Sequence, residues 1–197
     1  MLPADEIKGV LAFLREAERL KSVIRSGYTS TGRPESTAEH TWRLCLMAML
    51  LADGLGDINV ARLLKICIVH DLGEALHGDV PAVAQVEGDD RAARERADIE
   101  TLTQPLDDRR RAEILALWHD YETGASPEGR LAKGLDKLET ILQHTQGLNP
   151  ADFDYAFNLD YGTKHTAVHP LIGAIRAELD TDTRARMTAQ QASGAPD

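Results

Sequence analysis

The chain has 197 residues, 43% of them apolar and 27% charged, with a net charge of −10, a balance that fits one soluble globular domain with a full core. The excess of negative charge excludes a broad nucleic-acid-binding face, which needs a basic surface to neutralise phosphates. It still admits a small phosphorylated substrate held by a few local cations.

The elements can be read in chain order. Ile7, Val10, Leu11, Leu14 and Leu20 mark one face of a first helix. A loop is expected from Arg25 to Glu35, with Gly27, Gly32 and Pro34 as breakers. Ser36 followed by Glu39 reads as a capping box, opening a helix through Ala52 with His40 in its first turns. Asn59 caps a third helix whose body, Leu63 to Val69, is apolar almost all round and so is expected to be central. His70 and Asp71 fall at its end, and Gly73 and Gly78-Asp79-Val80-Pro81 break the chain. Asp89 to Thr103 reads as a solvated surface helix, and Asp107 to Tyr121 as a helix turning Ile114, Leu115, Leu117 and Trp118 inward.

Ser126-Pro127-Glu128 is a helix start with proline at the first position. The helix it opens carries an apolar stripe of Leu131, Leu135, Leu138, Ile141 and Leu142, with Asp136 beside it. Pro150 to Phe157 and His169 to Leu179 complete the helices, and the end from Gln190 reads as frayed. No strand-like alternation persists. The expectation is an all-α chain, one domain over residues 1–185 with a flexible C-terminal tail over 186–197. Trp42, Trp118 and Tyr121 read as core aromatics.

Cys45 and Cys67 sit inside apolar runs and read as buried reduced thiols, with no disulfide framework. The first residues lack a signal-peptide pattern, and the longest apolar run, Leu44 to Ala52, is too short to span a bilayer. The expected setting is cytoplasmic, with no membrane and no nucleic-acid partner.

His40, His70, Asp71 and Asp136 form a mixed nitrogen and oxygen set suited to a divalent metal that keeps positions open for water and substrate. A charged carboxylate at the end of an apolar helix is costly to bury unless it is paired or metal-bound, which singles out Asp71, and Asp136 among its leucines. The other reading of Asp136 is a pair with Lys133. The His-Asp dipeptide alone carries little, since His119-Asp120 repeats it. Glu74, three residues past Asp71, lies within reach of a metal-bound water. The set points to metal-assisted hydrolysis.

These residues resemble the HD-domain superfamily of metal-dependent phosphohydrolases. Further segments resemble its 5′-deoxynucleotidase branch: Leu20-Lys21, Arg25, Arg33-Pro34-Glu35-Ser36 with Glu39-His40, His70-Asp71-Leu72-Gly73-Glu74, Gly78-Asp79-Val80-Pro81, Leu117-Trp118 with Tyr121-Glu122, and Lys133 with Asp136. The resemblance covers roughly residues 10 to 145 and implies a single HD-domain helical bundle, a homodimer, and a nucleoside 5′-monophosphate substrate that loses its phosphate. It implies one divalent metal ion (Mn, Co, Fe, Ni, Zn or Mg) on His40, His70, Asp71 and Asp136. Glu74 would be the general acid or base, and Asp79 would meet the sugar. Arg25 would clamp the phosphate with Lys133 as a second cation, and Glu35 and Glu39 would orient ligands or cap a helix.

The pattern departs at Ser26, where bacterial members often carry a tryptophan that crowds the sugar. Tyr28 is the candidate for that job, and selection between deoxyribose and ribose stays open. Three other readings remain. A dinuclear HD oxygenase or phosphodiesterase would recruit His77 and His119. A non-catalytic nucleotide-binding module would not need Glu74. Hydrolysis of a guanosine tetra- or pentaphosphate usually comes with a larger, multidomain chain.

Overall fold

The computed structural model describes residues 2–80 and 90–193. It is helical throughout apart from one small hairpin. Helix α1 (Ala4–Ala17) leads through a 3-10 turn (Glu18–Lys21) into strands β1 (Ile24–Tyr28) and β2 (Pro34–Ser36). Then follow α2 (Thr37–Leu51), α3 (Val60–Val69), a 3-10 turn (Leu72–Ala75), α4 (Arg91–Leu102), α5 (Asp108–Thr123), α6 (Pro127–Gln146), α7 (Phe157–Asp160), α8 (Thr163–Thr166) and α9 (Pro170–Ser193).

The helix starts are fixed locally by side chains that satisfy the first free backbone N–H groups. Ser36 and Glu39 form the full capping box. Asn59, Asp107 and Ser126 accept from the backbone N–H of Arg62, Arg110 and Gly129. Gly124, in the left-handed region at φ 60°, ends α5, a conformation that costs glycine nothing.

Helix α6 is the axis of the molecule. It packs against α2, α3, α5, α8, α9 and β1, and Leu135, Leu138 and Ile141 are fully buried along it. A Cβ at Gly134 would stand 2.9 Å from the His165 carbonyl oxygen and 3.1 Å from Ile172. Only glycine lets the α8–α9 layer approach this closely.

Several expectations need correction. The segment Arg25 to Glu35 is not a loop but an antiparallel hairpin, with Ile24 opposite Ser36 and Tyr28 opposite Pro34. Its strands are too short and polar to show alternation. The charged helix is not merely solvated: Ile99 and Leu102 are buried, and α4 packs on the turn after His70-Asp71. The supposed core aromatic Trp42 is 67% exposed, and Ile68 on the nominally central helix is 54% exposed. Ile7, Leu11 and Leu14 also face outward among the described residues.

Residues 150–156 are not helical. Residues 186–193, expected in a tail, continue α9. They are pinned there by Arg186 on the Thr145 and Gly147 carbonyls and by Gln190 on the Ala151 and Phe153 carbonyls. Pro81 of the expected break, the expected helix start at Asp89, and residues 194–197 of the tail lie outside the described residues. Among the described residues, no helix is long and apolar enough to cross a membrane.

The second His-Asp pair is structural. Asp120 is buried and ties three helices together. It accepts from the Ser126 backbone N–H (2.9 Å) and hydroxyl (2.7 Å) at the start of α6, and from Arg62 of α3 (2.5 Å). Burial alone would raise its pKa, but the Ser126 donors and Arg62 outweigh that and hold it below the usual range. Its stabilising contribution is therefore complete above the unfolded value of about 3.9 and is lost as pH falls through the lower folded value. Asp120→Ala should cost about 3 kcal/mol in urea unfolding at neutral pH. In Asp120→Asn, the gap in stability from the native chain should narrow as the pH is taken below 4.

Candidate active site

Three helices and the turn after α3 bring the four expected ligands together. His40 lies in the first turns of α2, His70 closes α3, Asp71 opens the following turn, and Asp136 sits in the middle of α6. His40 Nε2 lies 3.1 Å from Asp136 Oδ1 and 3.8 Å from Asp71 Oδ2. His70 Nε2 lies 3.0 Å from Asp71 Oδ2 and 3.9 Å from Asp136 Oδ1. His40 Nε2, His70 Nε2 and Asp71 Oδ2 are buried with no hydrogen-bond partner. One such orphan is expensive, and three that converge on one point fit a divalent cation.

The opposite ring nitrogens are committed elsewhere. His70 Nδ1 lies 2.7 Å from the Cys67 carbonyl oxygen, which can only accept, so Nδ1 carries the proton and Nε2 the lone pair. His40 Nδ1 pairs with the buried Glu139 carboxylate. A carboxylate behind a histidine ligand fixes its tautomer and raises its basicity. Glu139 is held in turn by Arg43 Nε at 2.6 Å.

Electrostatics favour an ion here. Burial would raise the Asp71 pKa, but His70, His40 and Arg25 bring it down to about 2. Asp136 is likewise held well below its ordinary value against the cost of burial, by Lys137 and the two histidines. Burial and Arg25 act to lower the His40 pKa, yet Glu139 and Asp136 raise it to about 10. The field that attracts a proton to Nε2 also attracts a divalent cation, and the cation must displace that proton.

Above the ligands opens a cavity of about 690 Å³, lined by Arg25, Tyr28, Glu74, Asp79, Lys133 and Lys137 among others. That volume lies in the range of small-molecule sites. Arg25 comes from β1. Its Nη2 donates to Thr140 Oγ1 (3.1 Å), its Nη1 stands 3.5 Å from Asp71 Oδ2, and its Nε stands 3.8 Å from Glu35. The Arg25 strand is fastened to α6 by Gln143, which donates to the Tyr28 carbonyl. Glu74 is buried, accepts from Thr37 Oγ1 at 3.2 Å, and is pushed up to about 10 by burial and by Asp71 and Asp79. Burial also raises the Asp79 carboxyl, and Arg25 opposes this.

Other expectations resolve differently. Asp136 pairs with Lys137 (2.8 Å) and accepts from the Tyr121 hydroxyl (2.6 Å), not from Lys133. Lys133 instead stands over the Tyr121 ring, 4.4 Å from its centroid, at the cavity wall. Tyr121 is thus part of the site as well as of the core. Glu39 is a capping group paired with Arg33, whereas Glu35 is buried toward Arg25.

His77 pairs with Asp98 at 2.6 Å with its side chain 63% exposed, and His119 is exposed on the outer face of α5. Neither joins the ligand cluster. The sequence reading missed Glu139, Lys137, Tyr121 and Thr140. The available signal was the spacing Asp136, Glu139, Thr140, Gln143 on one face of α6.

Comparison with known proteins agrees with this geometry. The model of the HD-domain family matches residues 17–176. This chain belongs to the HD-domain family of metal-dependent phosphohydrolases. The 5′-deoxynucleotidase HDDC2 of Mus musculus is 32% identical over 187 residues, covering 93% of each chain. That of Danio rerio is 38% identical over 136 residues, covering 68% of this chain and 67% of its own. The crystal structure of a predicted metal-dependent phosphohydrolase from Magnetospirillum magnetotacticum MS-1 superposes with a TM-score of 0.80 at 26% identity, covering 94% of this chain and 97% of that one. These relatives put this HD-domain chain in the 5′-deoxynucleotidase branch.

If the orphaned atoms are ligands, a divalent ion must stabilise the fold. Manganese added to metal-stripped protein at about a hundred times its Kd should raise stability by about 2.7 kcal/mol, and Asp136→Ala should abolish the rise. Glu139→Gln should leave the fold intact but weaken calorimetric metal affinity by about 10- to 100-fold. Unchanged affinity would remove Glu139 from the role assigned to it.

Proposed function

We propose that this HD-domain protein is a one-metal 5′-deoxynucleotidase that converts deoxyribonucleoside 5′-monophosphates to deoxynucleosides and inorganic phosphate. The observation that carries the reading is one cavity lined by the orphaned ligand atoms of His70 and Asp71, by Arg25, whose side chain is only 14% exposed, and by the buried Glu74, with the orphaned His40 Nε2 3.8 Å from Asp71 Oδ2. The names of the relatives support the substrate class.

His40, His70, Asp71 and Asp136 would hold the ion, which when bound would lower the pKa of its water and draw charge from the phosphoryl oxygens. The reading of a single ion is supported by the positions of His77 and His119, which lie away from the cluster. Arg25 binds two phosphate oxygens through its planar fork, and Thr140 holds that fork in place. Lys133 and Lys137 add positive charge along the wall.

Phosphoryl transfer needs mainly positioning and charge stabilisation. Water oxygen bonds to phosphorus as the bond from phosphorus to the 5′ oxygen breaks, and the proton the water sheds restores the Glu74 acid after it has served the leaving oxygen. Glu74, protonated at neutral pH by its buried, acidic surroundings, gives its proton to the departing 5′ oxygen. Asp79 accepts from a sugar hydroxyl, and Tyr28 borders the 2′ side beside the open space left by Ser26. A binding module would have no use for Glu74. The chain is further proposed to act in the cytoplasm, as a homodimer.

The deciding assay is phosphate release from paired deoxyribo- and ribonucleoside 5′-monophosphates, by stripped protein reloaded with Mn, Co, Zn or Mg. Release is expected from the deoxy series with at least one metal. Equal release from the ribo series would refute the deoxy selectivity, and no release with any metal would refute the reading. Glu74→Gln should lower kcat by about 10²- to 10⁴-fold with metal still bound, whereas Asp71→Ala should lose both metal and turnover.

A further inference from the structure

Beyond the ligands and the phosphate clamp, the cavity has a second end with a different character. There the wall is formed by Phe153, Phe157 and Tyr161, all half-buried. Phe157 opens α7 and Tyr161 follows its last residue, with ring centroids 5.0 Å apart and planes inclined at 30°. Phe153 stands edge-on to His144, 5.0 Å between centroids. Tyr161 adjoins the charged end, with Lys137 Nζ 5.1 Å from its ring. His144 lies two turns beyond Asp136 on α6, about 12 Å along the axis. That leaves room for a sugar between the two ends.

The segment that carries these rings is short of regular structure, yet it is held unusually firmly. Arg176 of α9 is buried and donates to the carbonyls of Asn158, Leu159 and Tyr161, each at 2.7 Å. Asn158, fully buried, accepts from His144 Nδ1 through its Oδ1 at 2.7 Å. Gln190 holds the Ala151 and Phe153 carbonyls at 2.7 and 2.9 Å, and Asn149 meets the Tyr155 hydroxyl at 3.0 Å. Half-exposed aromatic rings on a clamped backbone make a surface that loses little entropy on binding a flat ligand.

We propose that the wall of Phe153, Phe157 and Tyr161 seats the nucleobase of the substrate by stacking. The inference rests on the nucleotidase reading and adds to it the residues that recognise the base. The charged end of the cavity is taken by the phosphate and the ion, so the uncharged planar part of the ligand falls against the rings. Every base has a π face, so this mode tolerates all four bases. It discriminates strongly between a substrate with a base and one without.

The test compares deoxyadenosine 5′-monophosphate with 2-deoxyribose 5-phosphate, which lacks the base. Phe157→Leu and Phe153→Leu, each checked by thermal melting, should lower kcat/KM for the nucleotide about tenfold relative to that for the sugar phosphate. Phe157→Tyr, which keeps the ring, should restore the native ratio. A ratio unchanged in both leucine variants overturns the seat. Should the native protein release phosphate from neither compound, the nucleotidase reading falls by itself. The seat is then decided by calorimetric binding of the same nucleotide: a roughly tenfold weaker Kd in Phe157→Leu supports it, and equal affinity overturns it.

Discussion

The structure depends on solving one electrostatic problem. Glu35, Glu74, Asp136 and Glu139 are buried around a single point, and the Asp71 side chain is only 12% exposed beside them. Carboxylates this close cannot all ionise out of water without compensation. Each has its own answer. Glu139 has Arg43 and His40, Asp136 has Lys137 and Tyr121, Asp71 has the histidines and Arg25, Glu35 has the Arg25 Nε, and Glu74 keeps its proton. What the protein leaves unanswered is the set of atoms facing one another at the centre, His40 Nε2, His70 Nε2 and Asp71 Oδ2. A divalent ion would complete the pairing.

The fold follows from where those answers must come from. Helix α6 divides its surface in two: leucines and Ile141 fill the core, while Asp136, Glu139, Thr140 and Gln143 form a polar stripe on another side. Asp136 faces His40 Nε2, Glu139 serves the other side of the His40 ring, Thr140 serves Arg25, and Gln143 serves the strand that carries Arg25. A guanidinium must enter a buried site with its backbone still satisfied, and a hairpin does this because its N–H and C=O groups pair with each other. The small sheet of this helical protein is thus a bracket for one arginine.

This division explains what the sequence disclosed. His40, His70, Asp71 and Asp136 were legible because charge within apolar helices is anomalous and demands a reason. The helix starts at Ser36, Asn59 and Ser126 were legible because capping is local chemistry. Glu139 was not, because a glutamate between Leu138 and Thr140 looks like any solvated helix residue until its partner ninety-nine positions away is known. The Arg25–Glu35 hairpin hid because its two strands are short and polar. The end of α9 was read as tail because its anchors are backbone carbonyls of a distant segment, and carbonyls leave no mark in a sequence.

The net charge of −10 sets a last constraint, since an anionic substrate must approach an anionic protein. Local charge overcomes the global field when it is desolvated and close, and the cavity concentrates Arg25, Lys133 and Lys137 where the phosphate would sit. Arg25 is poised for exchange. At 3.5 Å from Asp71 Oδ2 the pair is electrostatic, without the short distance of a strong charge-assisted hydrogen bond. A carboxylate that gives its charge to a metal ion has less to offer a guanidinium. On the proposed reading, an ion on Asp71 would weaken its hold on Arg25 and leave the fork to phosphate oxygens. Ion and substrate would then be coupled through that one carboxylate, and the acidity of the core, which looks hostile to a phosphate ester, is what holds the arginine in place.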